Sequence, residues 1–356
     1  MPVSVIVGGQ YGSEGKGKVA LAIARGKGAR CVIRVGGTNS GHTIVDECGK
    51  PRPFRQLPAS VFAKDTIAVL PPGALIDAEI FEREVAELGL GPDRVKVSPF
   101  ASLISAEDRE AERLSGLVDR IGSTGSGTGA ALVRRIGRAS TVRLAGDEPR
   151  LGPYLDDTAQ LMRDVLAKGQ RIVIEGSQGF GLSVLHGGFY PHATSRDTTA
   201  AAFVSEAGLS PLDVDEIVLV LRAHPIRVAG NSGQLEDEMS WKELAIEAGL
   251  AEDYRELTTA TKKVRRIGRF EVDVVRRAIA ANQPTLIVLN HLDYVDPALA
   301  KGKRSSLARD FVARVESRIG AAVTMVGFGP DSLEPRSVLE KDGRTQPTSR
   351  QSLKAV

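Results

Sequence analysis

The segment GGQYGSEGKGK, residues 8–18, places glycines and two lysines directly after an apolar run. Counted from Gly12, it fits the phosphate-loop pattern G-x-x-x-x-G-K, but Val19 stands where that pattern has a Mg²⁺-binding Ser or Thr. Glycines let a backbone approach phosphate oxygens, and amides at a helix start attract anions. The segment therefore indicates a phosphate site of a different type, with a degraded nucleotide loop or a chance run of glycines as the alternatives.

A second glycine-rich segment, RVGGTNSGHTIV at residues 34–45, also follows an apolar run. It predicts a tight loop that carries Asn39, Gly41, His42 and Thr43. A histidine inside such a loop after a strand is well placed to contact a ligand. Two loops of this kind favour one shared ligand site.

The elements that position these loops are short β-branched runs, which alternate with helical patterns. The runs lie at residues 3–9, 29–37, 65–73, 171–179, 215–223, 284–293 and 321–329. Helices are predicted at 77–89 and 157–169. Continuous apolar runs are typical of a parallel sheet covered on both faces, and ligands bind beyond the carboxyl ends of its strands. We therefore predict an α/β fold with a mostly parallel central sheet, as a single domain over 1–356 with a polar, partly mobile tail at 340–356.

Composition excludes several classes of protein. The 356 residues carry a net charge of +3, which is too small to argue for nucleic acid binding. No apolar run approaches the roughly 20 residues of a membrane helix, and the N-terminus enters a strand pattern without a signal peptide. Cys31 and Cys48 lack metal-binding spacing and indicate a reducing compartment. We expect a cytoplasmic protein.

Residues 8–18 and 34–45 together closely resemble the paired motifs of the adenylosuccinate synthetases. Matching segments cover most of the chain, at 122–129, 134–135, 175–179, 190–200, 258–268, 289–293 and 327–331. The resemblance implies that family's P-loop-NTPase-like fold, a homodimer, and a ligase that joins IMP to L-aspartate with GTP and Mg²⁺. The γ-phosphoryl group would move to the purine 6-oxygen, and the amine of aspartate would then displace it.

The resemblance also implies roles for individual residues. Three positions would be catalytic: Ser13, His42 as an acid or hydrogen-bond donor, and Gln178 as the group that holds the 6-oxygen. The donor phosphates would be bound by Gly12, Glu14, Gly15, Lys16, Gly17, Lys18, Gly41, His42 and Thr43. Mg²⁺ would be bound by the carbonyl of Gly41, with Ser13 as a further ligand.

The remaining implied sites bind the two substrates and the donor base. The substrate nucleotide would contact Ser13, Asn39, Ser123, Thr124, Arg134, Gln178, Thr194 and Val228. Aspartate would contact Thr261, Lys263, Val264 and Arg265. The donor base would contact Asn290, His291, Asp293, Gly327, Gly329 and Pro330. Either Arg134 or Arg135 would reach into the site of the neighbouring subunit.

Ser13 departs from the family pattern, which has an aspartate that removes the purine N1 proton and binds Mg²⁺. A serine hydroxyl is neutral and a poor base near pH 7. It is also smaller, which leaves room near N1 and C2, where guanine carries an amino group. This substitution resembles the phage-encoded 2-aminoadenylosuccinate synthetases, which take dGMP and serve the synthesis of DNA containing 2-aminoadenine. We therefore expect dGMP, L-aspartate and a nucleoside triphosphate as the substrates.

Two further departures concern the donor and the amine substrate. The residues Asn290-His291-Leu292-Asp293 replace the usual T-K-L-D, which weakens the case for guanine recognition and favours ATP or dATP. Lys263 replaces an arginine and keeps the charge but loses the bidentate fork.

Two alternatives stay open at this point. One is an ordinary synthetase for IMP and GTP, which Asp293 favours and Ser13 disfavours. The other is a nucleotide-binding regulator without catalysis. The group that removes the N1 proton is also open: Ser13 relaying to water, the substrate aspartate, or the donor nucleotide.

Overall fold

The computed structural model describes residues 2–46, 48–258, 262–299, 302 and 306–340. Thr261, expected at the aspartate site, and residues 341–356 of the predicted tail lie outside the described residues. No helix within the described ranges is long and apolar enough to cross a membrane.

The described residues form strands and helices in alternation. The strands are β1 Val3–Gly8, β2 Cys31–Arg34, β3 His42–Val45, β4 Pro51–Phe54, β5 Ile67–Leu70, β6 Leu75–Ile76, β7 Val95–Val97, β8 Ser102–Leu103, β9 Ile172–Glu175, β10 Val214–Arg222, β11 Ile226–Arg227, β12 Glu238–Met239, β13 Arg266–Gly268, β14 Leu286–Asn290, β15 Met325–Val326 and β16 Glu334–Pro335. The helices are α1 Lys16–Gly26, α2 Ala78–Leu88, α3 Ala106–Leu114, α4 Leu117–Ile121, α5 Thr128–Ile136, α6 Thr158–Ala167, α7 Ala200–Ala207, α8 Trp241–Ala248, α9 Val272–Asn282 and α10 Ser306–Ile319.

A central sheet of nine strands has the order β16-β15-β14-β10-β1-β9-β2-β5-β7. Every neighbouring pair is parallel except β15 with β16. The seven predicted strand runs all contribute to this sheet, and the two predicted helices are α2 and α6. The prediction of an α/β fold with a mostly parallel sheet is therefore confirmed.

Strand β1 shows why the runs are continuously apolar. Val5 and Val7 belong to the core on one face of the sheet, and Ile6 belongs to the core on the other. Successive side chains of a strand point to opposite faces, so covering both faces favours apolar residues at nearly every position. Ser4 is the exception in β1, and its hydroxyl donates a hydrogen bond to Glu216. Burial of each apolar side chain contributes about 1.5–3 kcal/mol to folding.

Parallel strands bring the chemistry-bearing loops to one edge of the sheet. The carboxyl ends of β14, β10, β1, β9 and β2 are neighbours there, so the segments that follow them meet. One local prediction was wrong: His42 and Thr43 do not lie on a loop. They begin β3, which pairs antiparallel with β4, with His42 opposite Phe54.

Candidate active site

A cavity of about 630 Å³ opens at this edge of the sheet. Thirteen of the predicted site residues line it: Gly12, Ser13, Lys16, Asn39, Gly41, His42, Ser123, Thr124, Gln178, Thr194, Val228, Lys263 and Arg265. The other described candidates are not among its lining residues, and several of them support the loops from behind. The cavity therefore brings together the predicted catalytic positions and the predicted substrate-nucleotide positions other than Arg134, from segments far apart in sequence.

The segment 8–18 forms a tight turn before α1. Gly12 and Gly15 have φ angles of 89° and 90°, and Ser13 has a φ of 58°, a left-handed conformation that costs a non-glycine residue energy. No side chain caps α1 at Gly15. The first amides of the helix are therefore available to an anion such as a phosphate.

Glu14 supports this turn from beneath. Its side chain is fully buried and accepts hydrogen bonds from the amides of Gln10, at 3.2 Å, and Gly12, at 2.8 Å. It also forms an ion pair with Lys16 at 2.7 Å. The expectation that Glu14 contacts donor phosphates is corrected for its side chain, because the carboxylate faces away from the cavity and a phosphate would be repelled by it.

Lys16 joins the segment 8–18 to the segment after β9. Its Nζ donates hydrogen bonds to Glu14 and to the carbonyl of Gln178. Gln178 has a φ of 62° and lines the cavity. The contact fixes the backbone of Gln178 relative to the phosphate-loop candidate, which positions its side chain amide.

His42 lies in a buried charged cluster. Its Nδ1 is 2.5 Å from Glu175 Oε1, and Arg34 Nη1 lies 2.9 Å from the same nitrogen. A carboxylate only accepts hydrogen bonds, so the bond to Glu175 places a proton on Nδ1, and in the neutral ring the unprotonated Nε2 can accept a proton. Burial lowers the pKa of His42 to about 4, with Arg34 adding to the shift and Glu175 opposing it.

Glu175 stays ionised beneath His42. Burial would raise its pKa, but His42 and Arg34 outweigh burial and hold the pKa at about 2. The carboxylate also accepts hydrogen bonds from the amides of Ala59 and Ser60, both at 3.1 Å. These contacts fix the plane of the His42 ring.

The substrate-nucleotide candidates lie across the cavity. Asn39 Nδ2 donates to Thr194 Oγ1 at 3.4 Å, which joins the loops after β2 and β9. The hydroxyl of Ser123 donates to Glu112, whose other oxygen accepts from the amide of Gly127 at 2.5 Å. Glu112 therefore shapes the turn at 122–129 around the cavity.

Comparisons with known proteins identify one family that this chain resembles. The family model described as adenylosuccinate synthetase matches residues 5–146 and 141–299. The adenylosuccinate synthetase of Pyrococcus horikoshii is 34% identical over 339 residues, and that of Thermococcus onnurineus is 36% identical over 340 residues. Each match covers 93% of this chain and 97% of the relative.

This chain belongs to the adenylosuccinate synthetase family. It is a carbon–nitrogen ligase of that family. A solved structure of the cyanophage S-2L succinoaminodeoxyadenylate synthetase, bound to dGMP and to dATP as an energy donor, matches with a TM-score of 0.80 and 33% identity. That match covers 95% of this chain and 97% of the phage chain. The fully ligated Plasmodium falciparum adenylosuccinate synthetase matches with a TM-score of 0.80 at 19% identity, covering 93% and 98%, and shares the fold.

The ammonium of Lys18 points towards the segment 327–331, whereas the family motif predicts that it contacts the donor phosphates. Its Nζ donates to the carbonyl of Gly329 at 3.2 Å. Burial lowers the pKa of Lys18 to about 8, against the opposing effect of Asp293 and Asp331. The ammonium therefore faces the segment 327–331, where the family resemblance places the donor base.

Asn290 supports the turn at residues 12–15 with its amide nitrogen, and its contact with a donor base stays a prediction. The side chain is fully buried, and its Nδ2 donates to the carbonyl of Glu14 at 2.8 Å. Asp293 Oδ1 accepts a hydrogen bond from the amide of Gly329 at 3.0 Å, which holds the two predicted base segments together. His291 is half-buried, and its pKa is held well below 6.5 by burial and by Arg222, so the ring is neutral.

The segment expected to bind aspartate is only partly in the cavity. Lys263 and Arg265 line it, whereas Val264 pairs with Leu257 in an antiparallel bridge. Val264 is not among the residues that line the cavity, so its contact with aspartate stays a prediction.

Arg134 is tied to its own chain. Its Nη2 donates to Asp108 at 2.6 Å and its Nη1 to the carbonyl of Thr141 at 3.1 Å. Arg135 donates to the carbonyl of Phe100 and to the hydroxyl of Ser102. Neither arginine lines the cavity of its own chain, so contact with a site by either one requires a second subunit.

Sequence reasoning missed Arg34, Glu175 and Arg222. Each is the last residue of a central strand and directly follows a buried apolar run. Because charged side chains are almost never fully buried without a partner, a charge at this position is a sequence signal for a site-facing cluster.

Proposed function

We propose that this ligase joins L-aspartate to position 6 of dGMP, with ATP or dATP as the donor. The γ-phosphoryl group is transferred to the purine 6-oxygen as N1 loses its proton. The amine of aspartate then attacks C6, and phosphate leaves. The products are the deoxy 2-aminoadenylosuccinate, ADP or dADP, and phosphate.

The proposal of dGMP as the substrate rests on Ser13. It is exposed to the cavity and presents a neutral hydroxyl where the family motif has a carboxylate. Glu14 is no substitute for the missing base, because it is buried under the turn and paired with Lys16. The similarity to the phage enzyme bound to dGMP and dATP agrees with this choice.

The residues around the cavity have roles that fit phosphoryl transfer. The amides at the start of α1 and the ammonium of Lys16 would stabilise the donor phosphates. His42 Nε2 would share a proton with an oxygen of these phosphates. Gln178 would hold the 6-oxygen, and Asn39, Ser123, Thr124 and Thr194 would bind the substrate nucleotide. Lys263 and Arg265 would bind the carboxylates of aspartate.

The residues present also fit Mg²⁺. Within the described ranges there is no cluster of three His, Cys, Asp or Glu side chains that could hold a metal. Mg²⁺ instead suits a site of few protein ligands plus phosphates. The carbonyl of Ser40 is held by Arg34 at 3.0 Å, whereas that of Gly41 accepts no hydrogen bond from the described residues. The Gly41 carbonyl and Ser13 would hold the ion, which would neutralise charge on the donor phosphates.

A homodimer is part of the proposal. The helix α5 that carries Arg134 exposes Val133 and Ile136, each 70% accessible, and Leu114 of α3 is 71% accessible. Such exposed apolar side chains suit a subunit interface. Light scattering should give the mass of a dimer; a monomer with full activity would contradict this part.

The second candidate is an ordinary synthetase for IMP and GTP. The archaeal relatives named above favour it, as does the presence of Asp293 beside the base segments. The third, a non-catalytic regulator, would bind nucleotide without aspartate-dependent phosphate release. The cavity with Lys16, His42 and Gln178 in place disfavours it.

The deciding experiment measures phosphate release with dGMP, GMP or IMP, each with ATP, dATP or GTP, in the presence and absence of L-aspartate. The proposal expects aspartate-dependent release with dGMP and ATP or dATP, and little with IMP. Strong release with IMP and GTP would replace the proposal by the second candidate. Nucleotide binding without any release would favour the regulator.

A further inference from the structure

Arg222 is a fully buried arginine that no predicted role in the site uses. It is the last residue of β10, beside β1, and faces the turn at residues 12–15 from behind. Its Nη1 donates to the carbonyl of Ser13 at 3.1 Å. Together with Asn290, which donates to the carbonyl of Glu14, it holds two successive carbonyls of the turn. The left-handed backbone of Ser13 is thus fixed by a charge from outside the turn.

Glu256 supplies the counter-charge. Arg222 Nη2 donates to Glu256 Oε1 at 2.7 Å. On its other side, Glu256 Oε2 lies 3.5 Å from Arg265 Nη1, and the amide of Arg265 donates to the carbonyl of Glu256 at 3.0 Å. Glu256 therefore stands between one arginine that holds Ser13 and another that lines the cavity.

The carboxylate of Glu256 is itself held in place. The hydroxyl of Tyr294 donates to Oε1 at 2.5 Å, and the hydroxyls of Tyr254 and Tyr294 are 2.8 Å apart. Burial opposes ionisation, but Arg222 keeps the pKa of Glu256 far below its usual value, so the group is charged. Without that charge, two buried guanidinium groups would face each other with nothing between them.

We propose that Glu256 is a positioning residue that joins the turn at residues 12–15 with residues 256–258 and 262–266 into one unit. Through Arg222 it fixes the backbone of Ser13, and through Arg265 it presents a guanidinium to the dicarboxylate substrate. This inference rests on the proposed function only in taking L-aspartate as the ligand of Arg265. Order in either segment then favours order in the other.

The test compares Glu256→Gln with Glu216→Gln as a matched control. Glu216 lies at the opposite end of β10, is also buried, and pairs with Lys27 at 2.6 Å. Glu256→Gln should raise the KM for L-aspartate at least ~10-fold, with a smaller fall in kcat, because losing the charge displaces Arg265. Hydrogen exchange should become faster at the amides of 12–16 as well as 256–258. Glu216→Gln should leave KM and exchange at 12–16 within about twofold of wild type.

The outcomes separate this inference from the proposed function. Unchanged exchange at 12–16 in Glu256→Gln would overturn the inference, as would an unchanged KM in an active enzyme. If the wild type shows no aspartate-dependent phosphate release, the proposed function fails. The rate of hydrogen exchange at residues 12–16 then tests the inference by itself. If Glu256→Gln does not fold, Glu256→Asp serves: it keeps the charge but is too short to reach both arginines. It should show the same changes in exchange and KM to a smaller extent, and wild-type values would refute the inference.

Discussion

His42, the first residue of β3, and Glu175, the last residue of β9, are joined by a hydrogen bond of 2.5 Å between Nδ1 and Oε1. The bond assigns the proton to Nδ1 and leaves Nε2 as the ring nitrogen that can act in catalysis. A carboxylate that orients a histidine in this way also stabilises the imidazolium when the ring takes up a proton.

Replacing this carboxylate should therefore slow catalysis more than it weakens binding. We expect Glu175→Gln to lower kcat by about 10- to 100-fold, because the His42 ring loses the charge that stabilises its protonated form. The KM for the nucleotides should change little. Steady-state kinetics across pH 5–9 would check this, with Glu216→Gln as the control; an unchanged kcat would show that His42 acts without Glu175.

Ser13→Asp tests the substrate assignment. The larger, charged side chain should crowd the 2-amino group of guanine and supply the base that an IMP enzyme needs. We expect kcat/KM for dGMP to fall by about 10-fold or more, and kcat/KM for IMP to rise. The two values are measured in parallel, with Ser13→Ala separating the effect of charge from loss of the hydroxyl. Unchanged turnover of dGMP would contradict the argument from size.

Lys18→Met tests the donor side. The buried ammonium bonds to the Gly329 carbonyl beside Asp293, so its loss leaves the base segments with uncompensated negative charge. We expect the KM for the donor nucleotide to rise about 10-fold, with the KM for L-aspartate unchanged. Lys27→Met is the control, because Lys27 follows α1 and pairs with Glu216 far from the cavity. Equal effects of the two variants would rule out a local role for Lys18.

The burial of His224 predicts that the free energy of unfolding depends on pH. Burial lowers the pKa of His224 to about 4, with Arg222 adding to the shift, from an ordinary value of 6.5. The unfolded chain therefore binds this proton between pH 6.5 and pH 4 while the folded chain does not. The contribution of neutral His224 is complete above pH 6.5 and is lost as the pH falls towards 4, by up to about 3 kcal/mol.

Urea unfolding at pH 7 and pH 4.5 checks this expectation. His224→Gln should lose less free energy of unfolding between the two pH values than the wild type does. His186→Gln is the control, because His186 is largely exposed, with half of its side chain accessible. An equal loss in wild type and His224→Gln would refute the assignment.

The amino-acid sequence by itself determined the sheet and the family. The strands within runs such as residues 3–9 and 171–179 are mostly apolar because both faces of the sheet are covered, and that pattern is local. The glycines of 8–18 and the histidine of 34–45 indicated a phosphate site because local backbone freedom and charge are properties of those residues themselves.

Only the tertiary structure decided which way the polar side chains turn. Glu14, Lys18 and Asn290 lie in or beside the predicted motifs, yet Glu14 and Asn290 support the turn from behind and Lys18 faces the donor-base segments. Lys18 and Asn290 find their partners in distant parts of the chain, as do Arg222 and Glu256, whereas the partners of the Glu14 carboxylate belong to its own turn. A buried charge is tolerated only where a counter-charge meets it, and parallel strand order, rather than sequence spacing, decides where that meeting occurs.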